Sequence, residues 1–318
     1  MRLVLVCFTF IILGCQSKTQ KVIEEEGLYA SIPKVLEQSE KEFKKIEITK
    51  SSEVDLNITE LTDLSDQRSL GFVFGPGLYR TAGYINIIRE IEKYKESAGV
   101  VTGHGVGAFF ASAYAFNVAA DLIEWKFFNF LSKVKNQKVF SESWIQAYEK
   151  MLEEVFSGKR IADAKIRLIL PLYDIQNKKV RWLEEGKIKD VLMANVRMTP
   201  SRGRGSVAFP WEYYNRFAFE NYGAERVISF NVLKGLPNLK RPNDLLMGLY
   251  SRGASNYQRS KEEFEISFEL PLSKFSLDIP AKLVTESPDL RKKSKEIANY
   301  IQNIVQENID QKVADEGE

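Results

Sequence analysis

Gly103, His104, Gly105 and Gly107 stand together in AGVVTGHGVGAFFASAYA, residues 98–115. A short apolar run enters a glycine-punctuated turn and a small-residue run leaves it, the pattern of a strand-turn-helix elbow that presents a nucleophile for acyl transfer. The central position, however, is Gly105, which has no side chain to attack anything. His104 is the only histidine in the chain, so a Ser-His-Asp triad or a histidine-based metal site has nothing further to draw on. No metal and no cofactor is expected. As a replacement nucleophile or base His104 is poorly placed, because an adjoining helix N-terminus disfavours its protonated form. A histidine without a chemical role is the preferred reading, with a hydrogen bond to a ligand lodged at the elbow as the functional role left open to it.

A second group with chemical potential is GPGLYRT, residues 75–81, with Gly75, Gly77 and Arg80. Backbone amides in a glycine loop can stabilise a developing oxyanion, but Pro76 has no N–H and Leu78 has fewer accessible conformations than glycine. Arg80 offers positive charge to a bound phosphate or carboxylate, or else serves as a packing or ion-pair arginine. Further on, PSRGRGSVAF (200–209) puts Arg202 and Arg204 in a glycine-rich loop, a holder for lipid phosphates or a solvated loop. FPWEYYNRFAF (209–219) adds aromatic residues that lid a pocket or simply pack. Between Val191 and Trp211 there is no Asp or Glu.

FVFGPGLYRTAGYINIIREIEK (72–93) followed by AGVVTGHGVGAFFASAYAF resembles the two motif blocks of the patatin-like phospholipase family, and the resemblance extends sparsely over most of residues 70–310. The family's first block is an apolar strand, a Gly-Gly-Gly-x-Arg-Gly oxyanion loop and a helix. Its second is a G-x-S-x-G elbow. Gly77 and Arg80 fall on family positions, while Pro76, Leu78 and Thr81 replace glycines. Gly103 and Gly107 match the elbow glycines, and Gly105 takes the place of the serine. The family's catalytic aspartate maps near Val207, inside the acid-free stretch. The resemblance therefore implies an acyl-hydrolase fold that has lost both members of its Ser-Asp dyad. Holding a non-glycine residue in a strained elbow costs roughly 1–3 kcal/mol, so glycine is favoured there once catalysis is not needed. GHGVG also looks like the GHSxG of malonyl-type acyltransferases, but those need a distant histidine that this chain lacks.

Elements that would position these residues are legible from periodicity. GFVF (71–74), AGVVT (98–102), IRLILPL (166–172), ERVISFNVL (225–233) and FEISFEL (264–270) read as strands, the third with one better-covered face. Ile85, Ile88, Ile91 and Tyr94 mark one face of a helix, and helical segments run from about Val106 to Phe156. DIQNKKVRWL reads as a hairpin, and a helix is expected around Leu245 to Gln258. The last helix has Ser287 as cap, Pro288 at its first position, and Ile297, Ile301, Ile304 and Val305 as its buried stripe. Alternating strand and helix predicts an α/β fold with a mostly parallel sheet and helices on both faces, which the resemblance narrows to a patatin-like three-layer sandwich. About 240 residues are enough for one sizeable core.

The chain begins MRLVLVCFTFIILGCQ, one positive charge before an apolar stretch too short to remain as a membrane-spanning helix. Ile12-Leu13-Gly14-Cys15 resembles the bacterial lipobox, which implies cleavage after Gly14 and diacylglycerol on Cys15; the alternative is an ordinary signal peptide with an incidental cysteine. Two or three acyl chains, at about 0.8 kcal/mol per buried methylene, make a stable anchor. The expected organisation is a signal peptide at 1–14, a lipidated, charged and partly helical tether at 15–66, with a possible helix from Ala30 to Ile48, and the α/β domain at 67–318. The expected location is the bacterial cell envelope, with the outer membrane, facing the periplasm, favoured by Gln16 after the anchor. With Cys7 removed and Cys15 modified, no thiol is left for a disulfide or a thiolate metal site. The chain carries 45 basic and 43 acidic residues, which points to no nucleic-acid partner. Expected partners are the membrane, a lipid or acyl ligand and an envelope protein. The readings open at this stage are a non-catalytic binding protein, a weak lipid acyl hydrolase with an unusual nucleophile, and a scaffold.

Overall fold

The computed structural model describes residues 70–93, 98–174, 179–196, 207–208, 219, 222–224, 226–235, 266–278, 280 and 284–316. Cys15, the tether, the helices expected at Ala30–Ile48 and Leu245–Gln258, Tyr94, Arg202, Arg204 and most of the aromatic segment lie outside these residues.

Apolar β-rich stretches form strands where the pattern predicts them. They are β1 (Leu70–Phe74), β2 (Val100–Gly103), β3 (Arg167–Asp174), β6 (Arg226–Asn231) and β7 (Ile266–Glu269), with two short additions, β4 (Lys179–Leu183) and β5 (Val207–Ala208). The sheet has seven strands in the order β4-β3-β2-β1-β6-β7, with β5 paired to β3. The five strands from β3 to β7 along that order are parallel, while β4 and β5 run antiparallel to β3. DIQNKKVRWL thus contributes to the expected hairpin. The single better-covered face expected for β3 is not what the fold produces: Leu168, Ile169 and Leu170 are all buried, because β3 lies inside the sheet between β2 and β4.

The first helix after β1, α1 (Tyr84–Glu92), buries Ile85, Ile88 and Ile91 at the predicted spacing. Then come α2 (Val106–Ala115), buried along its whole length, α3 (Ala120–Val134), α4 (Glu142–Phe156), α5 (Ile188–Val196) and the C-terminal α6 (Pro288–Glu316). The Ser141 hydroxyl accepts from the Trp144 N–H to cap α4. Helix α3 has no side-chain cap of its own, and the Ala120 N–H donates instead to the Glu92 carboxylate at 3.4 Å. Helix α6 starts at Pro288 and buries Ile297, Ile301, Ile304 and Val305, as predicted. Its expected side-chain cap does not form. The Ser287 carbonyl accepts from the Arg291 N–H at 3.0 Å, whereas its buried hydroxyl has no partner.

Alternate residues along the strands define two faces. Phe72, Phe74 and Phe268 face α1, α2 and α6, with ring centroids 5.8 Å from Tyr114, 5.3 Å from Tyr84 and 5.6 Å from Tyr300 respectively. The opposite face carries Val73, Val100, Ile169 and Val227, clustered with Phe219 and Ala224. Running along the order, the chain steps from β1 to β2 and β3 on one side, then returns to β6 and β7 on the other. The order therefore reverses between β1 and β6. In open α/β sheets ligand sites form beyond the C-terminal strand ends at such a switch point.

Candidate functional site

The elbow exists as a structure. Strand β2 ends at Gly103, and α2 begins at Val106. Between them Gly105 holds φ 57° and ψ −130°, a combination that L side chains rarely adopt. Hydrogen bonds fix the turn: the His104 N–H donates to the Phe74 carbonyl, the Gly107 N–H to the His104 carbonyl and the Ala108 N–H to the Gly105 carbonyl, at 3.0–3.1 Å. The flanking glycines are there for contact. A Cβ on Gly103 would stand 2.7 Å from the Ala108 Cα, and one on Gly107 would stand 2.2 Å from the Gly75 carbonyl oxygen. The imidazole of His104 is buried, at 1% exposure.

One residue that holds the turn carries no signal in a motif. The Gly105 N–H donates to the Oδ1 of Asn195 at 3.2 Å, and Asn195 Nδ2 donates to the Pro171 carbonyl at 3.2 Å. Asn195 is fully buried in α5 and ties the elbow to the end of β3. Its only trace in the sequence is a polar residue in the apolar run VLMANV.

The loop after β1 lies against the elbow through Gly107 and against β6 through its backbone. The Gly75 N–H donates to the Phe230 carbonyl at 3.0 Å, and Pro76 has none to give. Two of the three positions from Gly75 to Gly77 thus cannot donate to an oxyanion. The Tyr84 hydroxyl sits 2.9 Å from the carbonyls of both Gly75 and Phe230. Gly77 is extended, and a Cβ there would overlap Val232 Cγ2 at 2.0 Å. Leu78 takes up a positive φ of 44°, so the bulky side chain does not keep the chain out of this region. The left-handed conformation costs about 1–2 kcal/mol, and complete burial of a leucine side chain is worth about 1.5–3 kcal/mol, enough to offset it. The Thr81 hydroxyl donates back to the Leu78 carbonyl.

Arg80 is 4% exposed and acts within the fold. Its Nε donates to the Phe275 carbonyl at 2.7 Å, one terminal nitrogen to Val232 and Lys234 at 3.3 and 3.0 Å, and the other to Ser273 at 3.4 Å. Burial pulls the guanidinium below its ordinary value. Of the two roles open to Arg80 in the sequence, this geometry supplies a structural one: a clamp that joins the loops after β1, β6 and β7. Together with Tyr84 it stitches the two strand ends that diverge at the switch point.

Gly75, Gly77, Gly103, His104, Gly105 and Gly107 are thus brought together at the C-terminal ends of the internal strands β1 and β2, while Arg80 is bonded to the loops after β6 and β7. Val207 lies in β5, paired with Asp174 at the end of β3. Among the described residues no group of His, Cys, Asp and Glu could hold a metal ion, and no helix is long and apolar enough to cross a membrane. No protein-family profile matches the chain, and no curated protein matches it.

Proposed function

We propose that this is a lipid-anchored envelope protein whose patatin-like domain, a three-layer α/β sandwich, binds an acyl lipid without hydrolysing it. The observation that carries the non-catalytic part is Gly105, which holds φ 57° and ψ −130° between β2 and α2 with no side chain to present. Two further features support it: the Gly75 amide is spent on Phe230 while Pro76 has none, and residues Val191 to Trp211 offer no carboxylate to activate a nucleophile. The acyl-lipid ligand and the anchor at Cys15 rest on the resemblance of the two motif blocks and of the lipobox. An envelope protein as the bound partner and a scaffold without a ligand are the outcomes against which this reading is tested.

Purified protein should neither hydrolyse short acyl esters nor react with a fluorophosphonate, and should co-purify with lipid in native mass spectrometry. Gly105→Ser should remain inactive, because the base is missing as well. Turnover or labelling by either protein overturns the non-catalytic reading, and absence of lipid turns it towards scaffolding.

A further inference from the structure

Strand β3 begins at Arg167, level with the start of β2, so the chain leading into it lies at the opposite end of the sheet from the elbow. There the connection from α4 to β3 meets the connection from β4 to α5, and Arg160 and Lys187 face each other in an isolated antiparallel bridge. The bonds that flank them run from the Ile161 N–H to the Gly186 carbonyl at 2.9 Å and from the Ile188 N–H to the Lys159 carbonyl at 3.1 Å, so Arg160 and Lys187 exchange no backbone bonds themselves. Residues paired in this way stand about 4.5 Å apart at Cα, the closer of the two cross-strand spacings, with both side chains on one face. Both residues are exposed. Like charges directly opposite each other weaken a bridge.

The other charges around this pair are spent. Arg167 is bonded to Glu184 at 2.8 Å, Lys189 to Glu153 and Glu149 at 3.0 and 3.6 Å, and Lys159 lies over the Phe116 ring, 5.0 Å from its centroid. Of the acids, Asp163 closes its turn by accepting the Arg160 N–H at 2.7 Å, Glu185 is engaged elsewhere, and Asp190 stands in the first turn of α5, where negative charge complements the helix dipole. Among the described residues no carboxylate forms an ion pair with Arg160 or Lys187. We propose that these two side chains together hold a phosphate group. A guanidinium fork and an ammonium at adjacent cross-strand positions give charge-assisted donors to different oxygens of one tetrahedral dianion, which replaces the repulsion across the bridge by two attractions. The phosphate is that of a lipid headgroup or the free ion, chemistry that the two cations read alike. This site stands apart from the elbow and does not depend on what the elbow binds.

The experiment is calorimetric titration of the full mature chain with inorganic phosphate and with glycerol 3-phosphate, at an ionic strength held constant by potassium chloride. Saturable binding of one phosphate per chain is expected, weakened at least tenfold in Arg160→Gln and in Lys187→Gln and unchanged in Lys133→Gln on α3. Phosphate should also raise the thermal midpoint of the wild type and leave that of Lys187→Gln where it is, while circular dichroism shows both to be folded. Equal affinity for the two probes assigns the site to the free ion, and tighter binding of glycerol 3-phosphate assigns it to a lipid headgroup; both outcomes support the proposal. No saturable binding, or an affinity that either variant of the pair leaves unchanged, overturns it.

Discussion

The turn between β2 and α2 and the loop between β1 and α1 lie side by side at the C-terminal ends of neighbouring internal strands, yet they are held by different means. The elbow is held mainly by close backbone approach, with Asn195 as the side chain that binds its Gly105 amide: Gly103 and Gly107 let α2 and the Gly75 backbone approach closer than any Cβ permits, and Gly105 turns the chain at positive φ. The β1 loop is held by side chains, with Arg80, Tyr84 and Thr81 spending their donors on seven backbone contacts. An elbow built on close backbone contact keeps its shape only while glycine stands at Gly103, Gly105 and Gly107. A loop built on side-chain donors keeps its shape only while those donors remain.

The largest effect should come from Gly107→Ala. The added Cβ meets backbone atoms of Phe74 and Gly75, which cannot rotate away, so β1 and α2 must separate at a cost of about 4 kcal/mol or more. Denaturant unfolding would measure this, and a loss below about 1 kcal/mol would mean that the elbow tolerates more than close contact suggests. Next is Arg80→Met, which keeps the length of the stem and removes the donors. With the carbonyls of Phe275, Val232, Lys234 and Ser273 left short of a donor, about 3 kcal/mol should be lost. Hydrogen exchange should quicken around residues 232–235 and 273–275 while the elbow amides stay protected; equal loosening of both would collapse the distinction between the two regions.

The smallest effect concerns Tyr79, which follows Leu78 and accepts a hydrogen bond from the Trp144 indole at 2.8 Å. Burial, against the lowering effect of that bond, pushes its hydroxyl up to about 12. A folded value above the unfolded one means that the contribution to stability is complete below about 10 and is lost as pH rises towards 12. Stability should therefore fall over that window, and Tyr79→Phe should flatten part of the fall while costing about 1 kcal/mol at neutral pH for the unpaired indole. An unchanged alkaline slope in the variant would assign the fall to other groups, beginning with the fully buried Tyr148, whose hydroxyl burial also raises.

The strands at 71–74 and 98–102 were legible as short apolar runs because β1 and β2 are buried along their whole length, and α3 and α4 because each buries one face and so imprints a helical period on the chain. The α6 start was half legible: Pro288 marks the first turn by its fixed φ, but Ser287 as a side-chain cap failed, since capping depends on how the residue is packed. At the site, the glycines could be read and the polar supports could not. Nothing local distinguishes an arginine that binds phosphate from one that clamps Phe275 and Lys234, 195 and 154 positions away, or marks Asn195 as the partner of Gly105 across ninety residues.

By itself, then, the sequence determined that Gly105 carries no side chain and that no Asp or Glu stands between Val191 and Trp211, because those are facts of residue identity. It also determined the alternation of strand and helix. Only the tertiary structure decided that Gly105 keeps a conformation closed to most side chains, that the Gly75 amide is already taken, and that Arg80 is consumed by the fold. Each of these depends on which distant backbone groups are brought within hydrogen-bond reach, and that is set when the parallel strands assemble.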